Sequence, residues 1–290
     1  MSKKNSRILK LDLYSDLSSN KAMKENSNNI LHQAIDEKGV LRLTMDDQNN
    51  KNSLSEKMIE SLTDAIKKAS KDNSIKVIVI AANGNVFCSG HNLKEITDAR
   101  NNDDEGASYF MDLFKLCSSL MQLIVNSPKP VIAEVNGVAT AAGCQLVASC
   151  DLAISSDDAR FATPGVNIGL FCSTPMVALS RNVNKKNALK MLLTGDMVNA
   201  HEAKRISLIN EHVPENELTK SVMDLAHKIS QKSIKTIETG KRAFYKQYGM
   251  DLFDAYEFTS KVMTENALRN DAKEGINAFI EKRDPDWGGN

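Results

Sequence analysis

The sequence predicts an α/β fold, with strands and helices alternating first and a helical C-terminal region behind them. Two observations predict it. Short alternating or β-branched runs at 40–45, 75–81, 131–135 and 151–154 are separated by stretches with helical apolar spacing. From Pro175 onward the periodicity is almost only helical.

Taken in order, residues 1–38 are rich in Ser, Asn and Lys and read as a flexible polar arm. A core over 39–230 and a helical region over 231–290 follow. Val40 to Met45 alternates as a strand does. Leu54, Met58, Leu62, Ile66 and Ala69 recur at helical spacing, with Ser53 placed to cap that helix. The β-branched run 75–81 suits a strand buried on both faces, and Asn83-Gly84 turns the chain out of it. A helix is expected over 108–125, ended by Ser127-Pro128-Lys129-Pro130. A strand over 131–135, the turn Asn136-Gly137, a small-residue helix over 140–149 and a strand over 151–154 follow. The last helix covers 274–282. No sequence repeat has a fixed period, although the strand–turn–helix units fit a structural repeat whose sequences have diverged.

With 290 residues, 41% hydrophobic and 26% charged, the composition is that of a globular chain. Lys plus Arg (37) equals Asp plus Glu (37), so no net charge draws the chain to nucleic acid or an anionic membrane. The cysteines (Cys88, Cys117, Cys144, Cys150, Cys172) form no CxxC pair, so neither a disulfide framework nor a zinc site is indicated. A reducing compartment follows. No apolar run approaches the roughly 18–20 residues of a membrane span. The N-terminus carries Lys3, Lys4 and Arg7 beside Asp12 and Asp16, without an apolar signal core or an Arg-rich presequence. The expected location is the cytoplasm or the mitochondrial matrix. No His, Cys and carboxylate cluster has metal-ligand spacing.

Two turns carry the chemistry. Residues 85–95 and 136–146 each follow a buried strand and place backbone amides at the mouth of a helix. Gly90, Gly137 and Gly143 permit close backbone approach, and the positive helix end faces what binds there. Two such amides converging on one oxygen make an oxyanion hole. Spacing alone fits an ordinary glycine-rich turn equally well.

The run Phe87-Cys88-Ser89-Gly90-His91-Asn92-Leu93-Lys94-Glu95 resembles the first signature of the enoyl-CoA hydratase/isomerase (crotonase) family. Asn136 to Asp151 resembles the second, and Phe161 to Gly169 and Glu274 to Arg283 resemble later landmarks in the same order. The resemblance covers about residues 38–287. It implies the crotonase (ClpP/crotonase-like) fold of repeated ββα units, with C-terminal helices that build a homotrimer or a dimer of trimers. It also implies an acyl-CoA thioester as ligand, with coenzyme A as part of the substrate and no separate cofactor. Carried over, the oxyanion amides are those of His91 and Ala142. Lys51, Phe279 and Lys282 fall where coenzyme A is approached, the last two often from a neighbouring subunit; a solvated surface lysine is the other reading of Lys282.

The pattern breaks at the acid–base pair. Hydratases of the family use two glutamates, and their positions hold Gln145 and Gly165 here. An amide does not trade protons near neutral pH and glycine has no side chain. Losing a positioned acid or base costs about a hundred- to ten-thousandfold in rate. The His91 imidazole is a candidate substitute, with an ordinary pKa of about 6.5. Asn167, Cys172 and Ser173 lie in a loop that supplies catalytic groups in relatives, although Cys172 has no cationic neighbour in sequence to activate it. Asp151 is expected to order its strand, and His32, His201, His212 and His227 to lie on the surface or in the arm. Three readings follow: an acyl-CoA enzyme of fatty-acid metabolism acting by enolate stabilisation, a decarboxylase of a malonyl-type CoA ester, and an acyl-CoA-binding protein without catalysis.

Overall fold

The computed structural model describes residues 30–288. Most of the expected arm, 1–29, lies outside the described residues, but its last part is not an arm. Leu31–Ile35 forms strand β1, antiparallel to β2 (Val40–Met45), with Leu31 opposite Met45 and Ile35 opposite Leu41. Asp36 closes the turn by accepting the amides of Lys38 and Val40. Only Leu31 is buried on this edge strand, which is why no apolar alternation marks it.

Helix α1 (Glu56–Lys71) buries Met58, Ile59, Leu62, Ala65, Ile66 and Ala69, the face read from spacing. Each large apolar side chain so buried contributes about 1.5–3 kcal/mol. The cap is Ser55, not Ser53: the Ser55 hydroxyl accepts the Met58 amide at 3.2 Å. Ser53 lies two residues too far out to reach the first free helical amides.

Strand β3 (Val77–Ala82) is buried throughout, as its sequence requires, and leads into the short β4 (Val86–Cys88) and α2 (Leu93–Ala99). Helix α3 (Ala107–Asn126) returns the chain to β5 (Val131–Val135), β6 (Val138–Thr140) and α4 (Ala142–Ser149). A third unit supplies β7 (Leu152–Ser156), β8 (Arg160–Ala162) and a 3-10 turn, Pro164–Ile168. Helices α5 (Pro175–Asn182), α6 (Lys185–Thr194) and α7 (Ala200–Arg205) and the strands β9 (Val198–Asn199) and β10 (Glu211–Val213) complete the core. Those two strands interrupt the region read as almost only helical; at two and three residues they are too short to show periodicity.

The strands form two sheets. One has the order β1-β2-β3-β5-β7-β10, parallel except for β1; the other has the order β4-β6-β8-β9, with β4, β6 and β8 parallel. Each ββ unit therefore places a long strand in the first sheet and a three-residue strand in the second. Helix α8 (Glu215–Ser230) covers one face of the first sheet with Leu218, Val222 and Ala226, against Val77, Val79, Ile132 and Ile154. Beneath it Glu134 is buried and satisfied: Arg42 binds it with two donors at 2.7 and 3.1 Å and the Thr219 hydroxyl with a third at 2.7 Å.

Helices α9 (Ile234–Gln247), α10 (Leu252–Ala267) and α11 (Asn270–Glu281) form the C-terminal region. The Lys241 ammonium on α9 reaches Asp151 Oδ2 at 2.6 Å and the Ile124 and Lys129 carbonyls at 3.0 Å each. Asp151 also accepts the Val131 amide at 2.7 Å and the Tyr245 hydroxyl at 2.9 Å. The Asp151 carboxylate thus orders the start of the neighbouring strand β5 rather than its own strand β7, and anchors α9 as well. Among the histidines expected on the surface, His212 and His227 are instead half-buried, against Asp157 at 2.5 Å and Asp36 at 2.6 Å.

Candidate active site at the ends of three short strands

Because β4, β6 and β8 are parallel neighbours, the residues that follow them emerge side by side at one edge. They are 89–92 leading into α2, 141–145 opening α4, and Thr163-Pro164 opening the 3-10 turn. The Asn92 side chain caps α2 by accepting the Lys94 amide. The Thr140 hydroxyl donates to the Ser89 carbonyl at 3.1 Å, and the Ala141 amide donates to the Ala162 carbonyl at 2.9 Å.

The first two turns touch through their glycines. A Cβ on Gly143 would lie 2.1 Å from the Cys88 carbonyl oxygen. One on Gly90, whose φ is +98°, would lie 2.9 Å from Ala141 Cβ and 3.4 Å from the Ala142 nitrogen. Only bare backbone can approach so closely. Ala141 itself sits at φ 50°, ψ −118°, a conformation that costs a non-glycine residue about 1–3 kcal/mol. That bend aims the Ala142 amide out of the strand direction. Neither the His91 nor the Ala142 amide donates a hydrogen bond among the described residues.

The side chains at this edge are uncharged. Gln145 stands three residues past Ala142, on the same helix face, and is 4% exposed. Its Oε1 has no partner among the described residues. Thr163 is 1% exposed and its hydroxyl is equally unpaired. The His91 ring packs on Phe114 of α3 at 5.6 Å, and its Nδ1 lies 3.3 Å from the Leu54 carbonyl. A carbonyl only accepts, so Nδ1 carries the proton and Nε2, buried without a partner, is the basic nitrogen. Leaving such an atom unpaired costs about 1–3 kcal/mol.

Burial lowers the His91 pKa, and the hydrogen bond to Leu54 opposes this only in part. A histidine with a lowered folded pKa binds fewer protons folded than unfolded, so stability falls as pH drops below about 6.5 and levels out below the folded value. His91→Gln should remove that component, seen as a smaller drop in melting temperature than the wild type shows between pH 7 and 5.

Gly165 lies where no side chain fits. A Cβ there would stand 2.6 Å from the Leu170 carbonyl and 2.9 Å from Cys172 Sγ. The Cys172 thiol fills that space; burial pushes its pKa up, the reverse of an activated nucleophile. Gly165→Glu should destabilise by about 1–3 kcal/mol, from overpacking. The nearly isosteric Gln145→Glu should cost less when the two are compared by denaturant unfolding.

Among the other expected site residues, Lys51 borders the first turn: its carbonyl accepts the Ser89 amide at 3.2 Å, and its side chain is exposed. Phe279 is 84% exposed on α11, and Lys282 ends that helix in a left-handed conformation. α11 packs chiefly on α10 and is tied to Ser233 through Asp271 at 2.5 Å, so the fold of one chain does not bring these two residues beside the turns. Asn167 lies exposed in the 3-10 turn, and Ser173 lies exposed in the loop that follows it. Phe114 and the Leu54 carbonyl were not singled out from sequence; their contacts with the His91 ring reveal them.

The profile of the family described as enoyl-CoA hydratase/isomerase matches residues 36–290. The chain belongs to that family. Enoyl-CoA hydratase domain-containing protein 3, mitochondrial, of Xenopus laevis is 50% identical over 251 residues, 87% of this chain and 84% of that protein. The crystal structure of human enoyl-CoA hydratase domain-containing protein 3 superposes with a TM-score of 0.85 at 46% identity, over 89% of this chain and all of that one. A Mycobacterium smegmatis enoyl-CoA hydratase structure gives the same TM-score at 44% identity, over 89% and 99%. The enoyl-CoA hydratase/isomerase fold explains the paired sheets and the C-terminal helices: this is a crotonase fold.

Proposed function

We propose that the chain binds an acyl-CoA thioester and holds its carbonyl oxygen between the His91 and Ala142 amides, stabilising the enolate formed there. The observation that carries this is the pair of undonated amides on two turns in backbone contact. An enolate oxygen gains negative charge, and fixed amide dipoles in a dry site stabilise it without reorganising. Gln145 and Gly165, at the positions of the family's glutamates, speak against efficient hydration, and Cys172 leaves a second carboxylate no room.

A decarboxylase of a malonyl-type CoA ester is the second reading. Loss of carbon dioxide generates the enolate without a base, which suits the uncharged side chains at this edge. Lys51, with Phe279 and Lys282 of a neighbouring copy, is assigned to coenzyme A. A second and third copy of the chain are the partners in this reading, because α9, α10 and α11 expose Phe244, Tyr248, Phe253, Tyr256 and Phe279. The names of the Xenopus and human relatives include "mitochondrial", which favours the matrix over the cytoplasm.

The test is incubation with crotonyl-, butyryl- and methylmalonyl-CoA, followed by mass. Gain of water above a trace rate counts against the uncharged site, loss of carbon dioxide supports the second reading, and binding without mass change identifies a binding protein. No binding at all overturns the proposal.

A further inference from the structure

Asn52 is 1% exposed and sits at φ 49°, directly after Lys51 at φ 55°. Two left-handed residues in succession, neither of them glycine, persist only where their surroundings hold them. Here the Asn52 side chain holds them. Its Oδ1 accepts the Asp47 amide at 2.8 Å, and its Nδ2 donates to the Asn83 and Val86 carbonyls at 2.9 and 2.7 Å. One side-chain amide thereby ties the loop 47–52 to the end of β3 and the start of β4.

The loop so fixed runs beside the first turn of the candidate site. The Lys51 carbonyl accepts the Ser89 amide at 3.2 Å, and the Leu54 amide donates to the Gly90 carbonyl at 2.7 Å. The Leu54 carbonyl lies 3.3 Å from His91 Nδ1. The contact with Gly90 sets a direction. The Gly90 carbonyl and the His91 N–H belong to one planar trans peptide unit, in which C=O and N–H point opposite ways. With the carbonyl drawn to Leu54, the His91 N–H is turned away from the loop and left free for a ligand. We propose that Asn52 is a positioning residue: through Leu54 it aims the His91 amide at the thioester oxygen. This rests on the acyl-CoA reading above. Asn52 itself is enclosed among main-chain groups and acts only through them.

The infrared carbonyl stretch of bound carbonyl-13C butyryl-CoA reports the hydrogen bonds to that oxygen, and Asn52→Gly puts the proposal to the test. Glycine keeps the left-handed backbone without strain and removes all three side-chain bonds. The variant should lose most of the downward shift that the wild type shows on binding. It should also bind the ester about tenfold more weakly, the worth of one hydrogen bond. Asn52→Asp keeps the bond from Asp47 and loses the two donated ones, so it should act in the same direction and serves where the glycine variant does not fold. Thr219→Val, which loses the bond to Glu134 beneath α8, is the control for lost stability alone and should keep the wild-type frequency. A wild-type frequency in the folded Asn52 variants overturns the role of Asn52 while leaving the acyl-CoA reading intact, as does an equal loss of shift in Thr219→Val. A wild-type protein that binds the ester without any shift overturns the amide assignment and the role of Asn52 together.

Discussion

Gly143→Ala is expected to lower the unfolding free energy by about 1–3 kcal/mol and to cut any turnover of an acyl-CoA ester about a hundredfold. The stability loss is the cost of overpacking, because the new methyl would lie 2.1 Å from the Cys88 carbonyl oxygen. The two turns must then part by an ångström or more. The Ala142 amide moves with its turn, and a displacement of that size at a reacting centre is worth about a hundredfold. Gly240→Ala is the control. Gly240 lies within α9 with nothing inside 4 Å of the added carbon, so alanine there should stabilise by about 0.5–1 kcal/mol. Denaturant unfolding of both variants, beside a mass-based turnover assay, separates close approach from a general intolerance of side chains.

Lys241→Met should destabilise the fold by about 3–5 kcal/mol, the usual consequence of removing one partner from a buried ion pair. Lys241 and Asp151 are both largely buried, and the ammonium also serves two main-chain carbonyls. Without it the Asp151 carboxylate keeps only the Val131 amide and the Tyr245 hydroxyl. Asp151→Asn in the same chain removes the stranded charge and should recover part of the loss, measured as a coupling in a double-mutant cycle. A cost below about 1 kcal/mol, typical of an exposed pair, would mean that α9 is not fastened through this contact.

Long elements were legible in the sequence for a physical reason. Met58, Leu62, Ile66 and Ala69 repeat over several turns of α1, and β3 is apolar because both of its faces are covered. The second sheet was not legible. Its strands β4, β6 and β8 have three residues each, too few for alternation to emerge, yet their register aligns the three turns. The candidate amides of His91 and Ala142 were reachable through the glycine-rich turns and the family resemblance. The tautomer of His91 was not, because it depends on which main-chain group lies opposite the ring. The replacement at position 165 was visible as a glycine; that Cys172 fills the space follows only from the fold of the 170–172 loop.

The central claim is that the His91 and Ala142 amides hold a thioester oxygen. The infrared carbonyl stretch of carbonyl-13C butyryl-CoA, free and bound, tests it most directly, because hydrogen bonds to that oxygen weaken the bond. The expected result is a shift to lower frequency on binding, reduced in Gly143→Ala. A bound thioester with an unshifted carbonyl would contradict the assignment of the two amides.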